Sequence, residues 1–195
     1  MEGERLEALN AGLVTFKRDL MKDSLAARRI ELAIVVFNSE ISVIQNFVTV
    51  DKFQPPCLTA AGHTRMGGGI ERALALAKER KQIYRDHGIS YYRPWVFMIT
   101  DGQPEGESEE TVQQAARLLR DSESQRHVAF FAVGVEGADM KRLAQLVVRE
   151  PVKLRGLNFG AMFVWLSASM QSVSHSDSDD PIVGLPPVGW GHFSQ

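Results

Sequence analysis

The sequence is short of cysteine, of long apolar runs and of surplus charge of either sign, and each shortage removes a class of function. Its one cysteine, Cys57, can neither close an internal disulfide nor supply a thiolate zinc cluster, a usage that suits a reducing compartment. No stretch approaches the ~18 apolar residues of a membrane span. The opening MEGERLEALNAGL has neither the basic start nor the apolar core of a secretory signal. With 22 Lys and Arg against 24 Asp and Glu, no net field draws the chain to nucleic acid or to an anionic membrane. The five histidines, His63, His87, His127, His175 and His192, show no transition-metal spacing. The chain therefore reads as a cytoplasmic protein.

What is present suits one domain with a tail. At 195 residues and 44% hydrophobic content, a chain of this size buries roughly 70% of its unfolded surface and needs no staple. Residues 1–173 read as an α/β domain. Residues 174–195, without lysine or arginine, read as an extended Pro/Gly/Ser-containing tail, with Ile182, Val183, Leu185 and Trp190 able to dock.

The order of elements follows from periodicity. Leu6, Leu9, Leu13, Phe16 and Leu20 recur at helical spacing. Ile30 to Phe37 (IELAIVVF) reads as a strand buried on both faces, and Ile41 to Val48 as its antiparallel hairpin partner at a sheet edge. A punctuated loop, Gln54 to Gly69, precedes a helix marked by Ile70, Ala73, Leu74, Ala77 and Tyr84 and ended by Gly88. Pro94 to Thr100 is the next buried strand. Ser108 then caps a helix whose face is Val112, Ala115, Ala116 and Leu119. His127 to Val135 is a third buried strand. Asp139 caps a short helix carrying Met140, Leu143, Ala144 and Val147; Val152 to Leu154 is an edge strand, and Phe159 to Val173 the last helix. Strands alternating with helices give a Rossmann-like α/β fold with a mostly parallel sheet flanked by helices, and in such sheets function gathers at the carboxyl ends of strands.

Two loops meet that rule. Asp101 stands where an apolar strand stops, placed for a cation or equally for a turn that pairs it with backbone amides. Thr64 lies among glycines before a helix, where a hydroxyl ligates a hard cation or, more commonly, caps the helix. The glycines do not make a phosphate loop, because Gly68 and Gly69 stand where that motif requires Lys and Ser/Thr. Nothing fixes Cys57, His63 and Asp101 in the geometry of a nucleophilic triad. Trp95, Phe97, Phe130 and Phe131 read as core, and Arg117, Arg120 and Arg126 as solvated residues rather than a basic patch.

The run of LAIVVFNSEISVIQNF, FQPPCLTAAGHTRMGGGIERAL, PWVFMITDGQP and LNFGAMFVWLSASMQSVS resembles the von Willebrand factor type A domain. The likeness is to its bacterial TerY-like branch, associated with tellurium resistance and chemical stress. The resemblance implies a non-enzymatic protein-protein interaction module. It also implies a metal-ion-dependent adhesion site for Mg²⁺ or another divalent cation, with Thr64 and Asp101 as two ligands. The implied partner offers an acidic residue and belongs to an assembly such as one with a protein kinase or a PP2C-type phosphatase. The family's DxSxS segment is missing from the sequence, and Met1 matches the methionine that follows it. The resemblance thus implies a chain lacking its first, central strand and half its metal ligands, with weak metal binding and impaired folding. The competing reading is a metal-dependent phosphohydrolase with Asp101 as nucleophile and Glu105 and Glu107 as the carboxylates at hand. A third is a degenerate module that works without metal.

Overall fold

The computed structural model describes residues 3–60, 62–176 and 185–193. Met1, Ile182 and Val183 lie outside them. The chain divides into two compact units. One comprises Met1–Ile34, Val43–Ala60 and Leu154–His192; the other comprises Val35–Ser42, Ala61–Lys153 and Phe193–Gln195.

In the first unit, α1 (Glu4–Leu20), α2 (Ser24–Arg29) and α6 (Phe159–His175) pack together. α1 buries Leu9, Leu13, Phe16 and Leu20 on the face the periodicity predicts. Gly12 sits on that face because a β-carbon there would lie 2.5 Å from Phe163 Cδ2, and Phe16 and Phe163 then meet with ring centroids 5.6 Å apart. α2 is a six-residue helix that the sequence reading missed, too short to show a period. Asp23 starts it, its carboxylate accepting from the amides of Leu25 and Ala26. The tail contributes more than an extended run. The Trp165 indole donates to Pro186 O, Trp190 is buried, and Gly191–Phe193 form a short strand, β6.

The second unit carries the parallel strands. β3 (Trp95–Thr100) pairs with β4 (Ala129–Gly134) from Trp95↔Ala129 to Thr100↔Gly134. β4 in turn pairs in parallel with β5 (Val152–Leu154), and the four-stranded order is β3-β4-β5-β6. β5 is thus an interior strand of that sheet, with β6 at the edge. One face of β3 and β4 presents Val96, Met98, Phe130 and Ala132 to α3 (Met66–Asp86), α4 (Glu109–Ser124) and α5 (Met140–Leu146). On the opposite face Trp95, Phe97 and Phe131 form an aromatic row, with centroid spacings of 4.8 and 5.7 Å to Phe131. Of the four aromatic residues expected in the core, only Phe130 is fully buried.

β1 (Glu31–Phe37) and β2 (Ile41–Thr49) form a separate two-stranded sheet, antiparallel because so short a link allows nothing else. β1 was expected to be buried on both faces and is instead half-buried at all seven positions. The reason is its pairing. Among the described residues β1 is laddered to β2 alone, and one open backbone edge exposes every residue equally rather than every second one. β2 does alternate, with Ser42, Ile44 and Asn46 exposed. β3, likewise paired on one side, is fully buried only at Met98 and Thr100.

Candidate functional site

The carboxyl ends of β1 and β3 converge on the start of α3. α3 begins at Met66, inside the stretch expected to be loop, and Gly67, Gly68 and Gly69 form its first turn. Tertiary approach explains three glycines in a helix. A β-carbon would meet Val112 Cα at 3.1 Å from Gly67, Ile41 Cδ1 at 2.2 Å from Gly68 and Phe37 Cβ at 2.7 Å from Gly69. They are packing glycines, which agrees with the rejection of a phosphate loop.

A helix start leaves its first amides without intrahelical partners, and those of Met66, Gly67 and Gly68 can be traced here. Met66 N donates to Thr64 O at 2.8 Å, and the first intrahelical bond runs from Gly69 N to Arg65 O. The Glu107 carboxylate takes the other two, Oε1 accepting from Gly67 N at 2.7 Å and Oε2 from Gly68 N at 3.2 Å. Arg65 is the N-cap residue and its side chain caps nothing. The commoner role for Thr64, a side-chain helix cap, is therefore not realised, because a carboxylate from a distant loop performs it.

That leaves the Thr64 hydroxyl for another purpose. Glu105 N donates to Thr64 O at 2.9 Å, which ties the loop after β3 to the residue before α3. A β-carbon on Gly102 would lie 3.3 Å from Thr64 Oγ1, so the hydroxyl stands against the residue that follows Asp101. Asp101 is half-buried at the end of β3. The amide of Gly102 is taken by the buried Thr100 hydroxyl at 3.3 Å. The structure thus brings the two sequence-predicted site residues into one place.

Ser39, at the end of β1, was not singled out from sequence and belongs to the same place. Its hydroxyl accepts from His63 N at 3.0 Å, and Gly62, at φ 65°, would carry a β-carbon 2.0 Å from that oxygen. The position carried a signal, since Asn38-Ser39 leaves a strand's carboxyl end as Asp101 does. Asp101, Glu105 and Glu107 surround the site with carboxylates against Arg65 and His63; His63 Nδ1 lies 3.6 Å from Glu105 Oε2. Cys57, meanwhile, takes a weak bond from Asn10 Nδ2 at 3.9 Å.

Hydroxyl and carboxylate oxygens are the donors that a hard divalent cation takes, so Thr64 and Asp101 fit in kind. They are few in number. Among the described residues no three of His, Cys, Asp and Glu gather as a metal cluster. A phosphohydrolase fits less well, because Glu107 is spent on helix amides and Glu105 is 68% exposed beside His63.

The family model for the von Willebrand factor type A domain matches residues 16–155. The chain belongs to the von Willebrand factor type A family. The match runs from the end of α1 through β5, including both loops of the site. Type A domains are, as a class, protein-interaction modules rather than enzymes, and the mixed α/β content with a mostly parallel sheet is theirs. No curated protein matches the chain. No helix among the described residues is long and apolar enough to cross a membrane.

Proposed function

We propose that this type A domain is an interaction module whose recognition surface is the junction of the loops after β1 and β3 with the start of α3. In this reading Thr64 and Asp101 are a remnant metal-ion-dependent adhesion site for Mg²⁺. The observation that carries it is the division of labour at α3: Glu107 caps the helix, and the Thr64 hydroxyl stands beside Gly102 with no hydrogen bond among the described residues. A bound divalent cation would supply the positive charge that attracts a carboxylate on a partner. Thr64 offers a neutral oxygen and Asp101 an anionic one, and the rest of an octahedral shell falls to water and the partner. The resemblance of the loop and strand runs to the TerY-like branch supports a bacterial setting in tellurite or chemical stress. It also favours a protein kinase or a PP2C-type phosphatase as the partner.

Calorimetric titration of the chain with Mg²⁺ tests the site. With two protein ligands, affinity is expected on the order of millimolar, abolished by Asp101→Asn and reduced by Thr64→Val. Binding that ignores both substitutions would sink the assignment. Turnover of a phosphomonoester that disappears with Asp101→Asn would replace the module with the hydrolase.

A further inference from the structure

At the amino ends of β3, β4 and β5, opposite the Asp101 end of β3, arginines converge on one buried carboxylate. Glu123, on the last turn of α4, is 4% exposed; its Oε1 accepts from Phe130 N at 3.1 Å and from Arg149 Nε at 3.0 Å. Arg93 Nη2 lies 3.7 Å from the same oxygen, and its Nε donates to Val128 O. The Arg149 guanidinium also lies 5.3 Å over the Phe131 ring.

Arg126 completes the group at a conformational cost. It is the one non-glycine residue with positive φ among the described residues, at 56°. α4 ends there in a turn that normally calls for glycine: Arg126 N donates to Glu123 O and His127 N to Ser122 O. An L-residue in that conformation is strained, and strain of this kind concentrates where a side chain has a task. The Arg126 side chain has no hydrogen bond or ion pair among the described residues. Arg93 has its pKa lowered, first by burial and then by the Arg149 charge, with Glu123 opposing and Arg126 adding to the effect. Arg93 Nη2 also donates to Glu123 O at 3.2 Å, the same carbonyl that accepts from Arg126 N, so Arg126 adjoins the Arg93 guanidinium. Arg126 is exposed, as its place at the helix exit leads one to expect, and the fold adds that it stands beside Arg93, which comes from a distant segment.

We infer that Arg93, Arg126 and Arg149 form a docking site for a phosphorylated serine or threonine side chain on a protein partner. Two guanidiniums share the Glu123 carboxylate and a third adjoins Arg93, so the four groups together carry two positive charges in excess, and a phosphomonoester carries about −1.5 to −2 at neutral pH. Guanidinium forks match phosphate oxygens in pairs. The site is open rather than enclosed: the Arg93 and Arg149 side chains are 30% and 45% exposed. Val148, next to Arg149, is 57% exposed. A free ion would stay half-hydrated there, whereas a peptide adds contacts along the apolar rim. With a formal charge of −2, the molecule as a whole does not attract a polyanion.

Fluorescence polarisation with a dye-labelled phosphoserine peptide and its unphosphorylated twin tests this on the full chain. The phosphopeptide is expected to bind, the twin not to, and inorganic phosphate to compete only at tenfold or greater excess. Arg126→Gly relieves the backbone, so it should raise the melting temperature while weakening phosphopeptide binding at least fivefold; a purely structural Arg126 predicts the first effect without the second. Arg149→Gln should weaken binding similarly. Equal binding of both peptides, unchanged binding in Arg126→Gly, competition by phosphate at equal concentration, or tighter binding of a short DNA oligonucleotide would each overturn the assignment.

Discussion

Removing the Glu107 carboxylate tests the architecture of the site most directly. Glu107 accepts from Gly67 N and Gly68 N at 2.7 and 3.2 Å, and charge-assisted bonds of this kind contribute about 1.5–3 kcal/mol each when well buried. The helix N-terminus adds ~0.3–1 kcal/mol for an anion. Against that, Glu107 is only half-buried, so water re-solvates part of what is lost. The longer bond also falls toward the weak end. Glu107→Ala is therefore expected to cost about 2–3 kcal/mol. Glu107→Gln keeps one acceptor oxygen and loses the charge, for about 1–2 kcal/mol. Glu107→Asp is one methylene too short and should resemble alanine. Urea unfolding gives the totals, and hydrogen exchange at the Gly67 and Gly68 amides localises them. Both amides should lose protection in Glu107→Ala while amides in the middle of α3 keep theirs. A cost below ~0.5 kcal/mol, or unchanged protection at the two glycines, would refute the trans-loop cap and with it the argument that frees the Thr64 hydroxyl.

Two further expectations concern the first unit. Gly12→Ala gains about 1 kcal/mol of helix propensity but sets a β-carbon 2.5 and 2.8 Å from the Phe163 ring, which Phe16 holds in place. Overpacking at about 1–3 kcal/mol should win, and a urea midpoint that rises would contradict the packing of α1 on α6. The Asp23 pKa is lowered, first by the hydrogen bond from Ala26 N and then by the bond to His175, whose Nε2 lies 2.6 Å away. A depressed carboxylate pKa stabilises the fold above its ordinary value, near pH 4, and that stability drains as pH falls through the depressed value. Asp23→Asn keeps an acceptor for the cap but removes the titration, so melting temperature should fall less steeply below pH 4 than in the parent chain; identical slopes would sink the assignment.

The parts of the fold that were legible in sequence are those in which local pattern and tertiary demand agree. The apolar faces of α1, α4 and α6, the Ser108 and Asp139 caps, and the β-branched strands all follow from period and punctuation. Illegible parts came from demands made at a distance. Gly67 to Gly69 look like loop because glycine is a poor helix former, yet Phe37, Ile41 and Val112 leave no room for a β-carbon. Glu107 gave no local sign of its role, because its partners lie 39 and 40 residues away. Ala144 falls on the spacing of a buried face but is exposed, since Leu143 and Leu146 carry the contacts of a helix only seven residues long. The half-exposure of β1 and β3 was hidden because an apolar run states what a strand prefers and says nothing about how many neighbours it has.

Thr64 shows how the site and the fold constrain each other. A threonine before a helix has an easy occupation as its cap, and from sequence alone that occupation wins. The fold withholds it by closing the α3 amides with a carboxylate, at the price of holding a charged side chain in a half-buried position. Had Thr64 capped the helix, Glu107 would have been free to face solvent and the β3–α4 loop would have kept only the Glu105 tie to α3's approach and the Gln103 bond to Asp139. The Glu107 and Glu105 interactions thus tie that loop to the start of α3 and leave one hydroxyl uncommitted next to Asp101. An interaction module gains from that arrangement, because a recognition surface needs polar atoms that are fixed in position but not yet satisfied. The test that separates design from accident is a double substitution. If Thr64→Val and Glu107→Ala act on stability through one hydrogen-bond network, their costs will be strongly non-additive. If Glu107 holds the helix and Thr64 serves recognition, stability will fall with Glu107 alone, and Mg²⁺ binding will respond to Thr64 in either background.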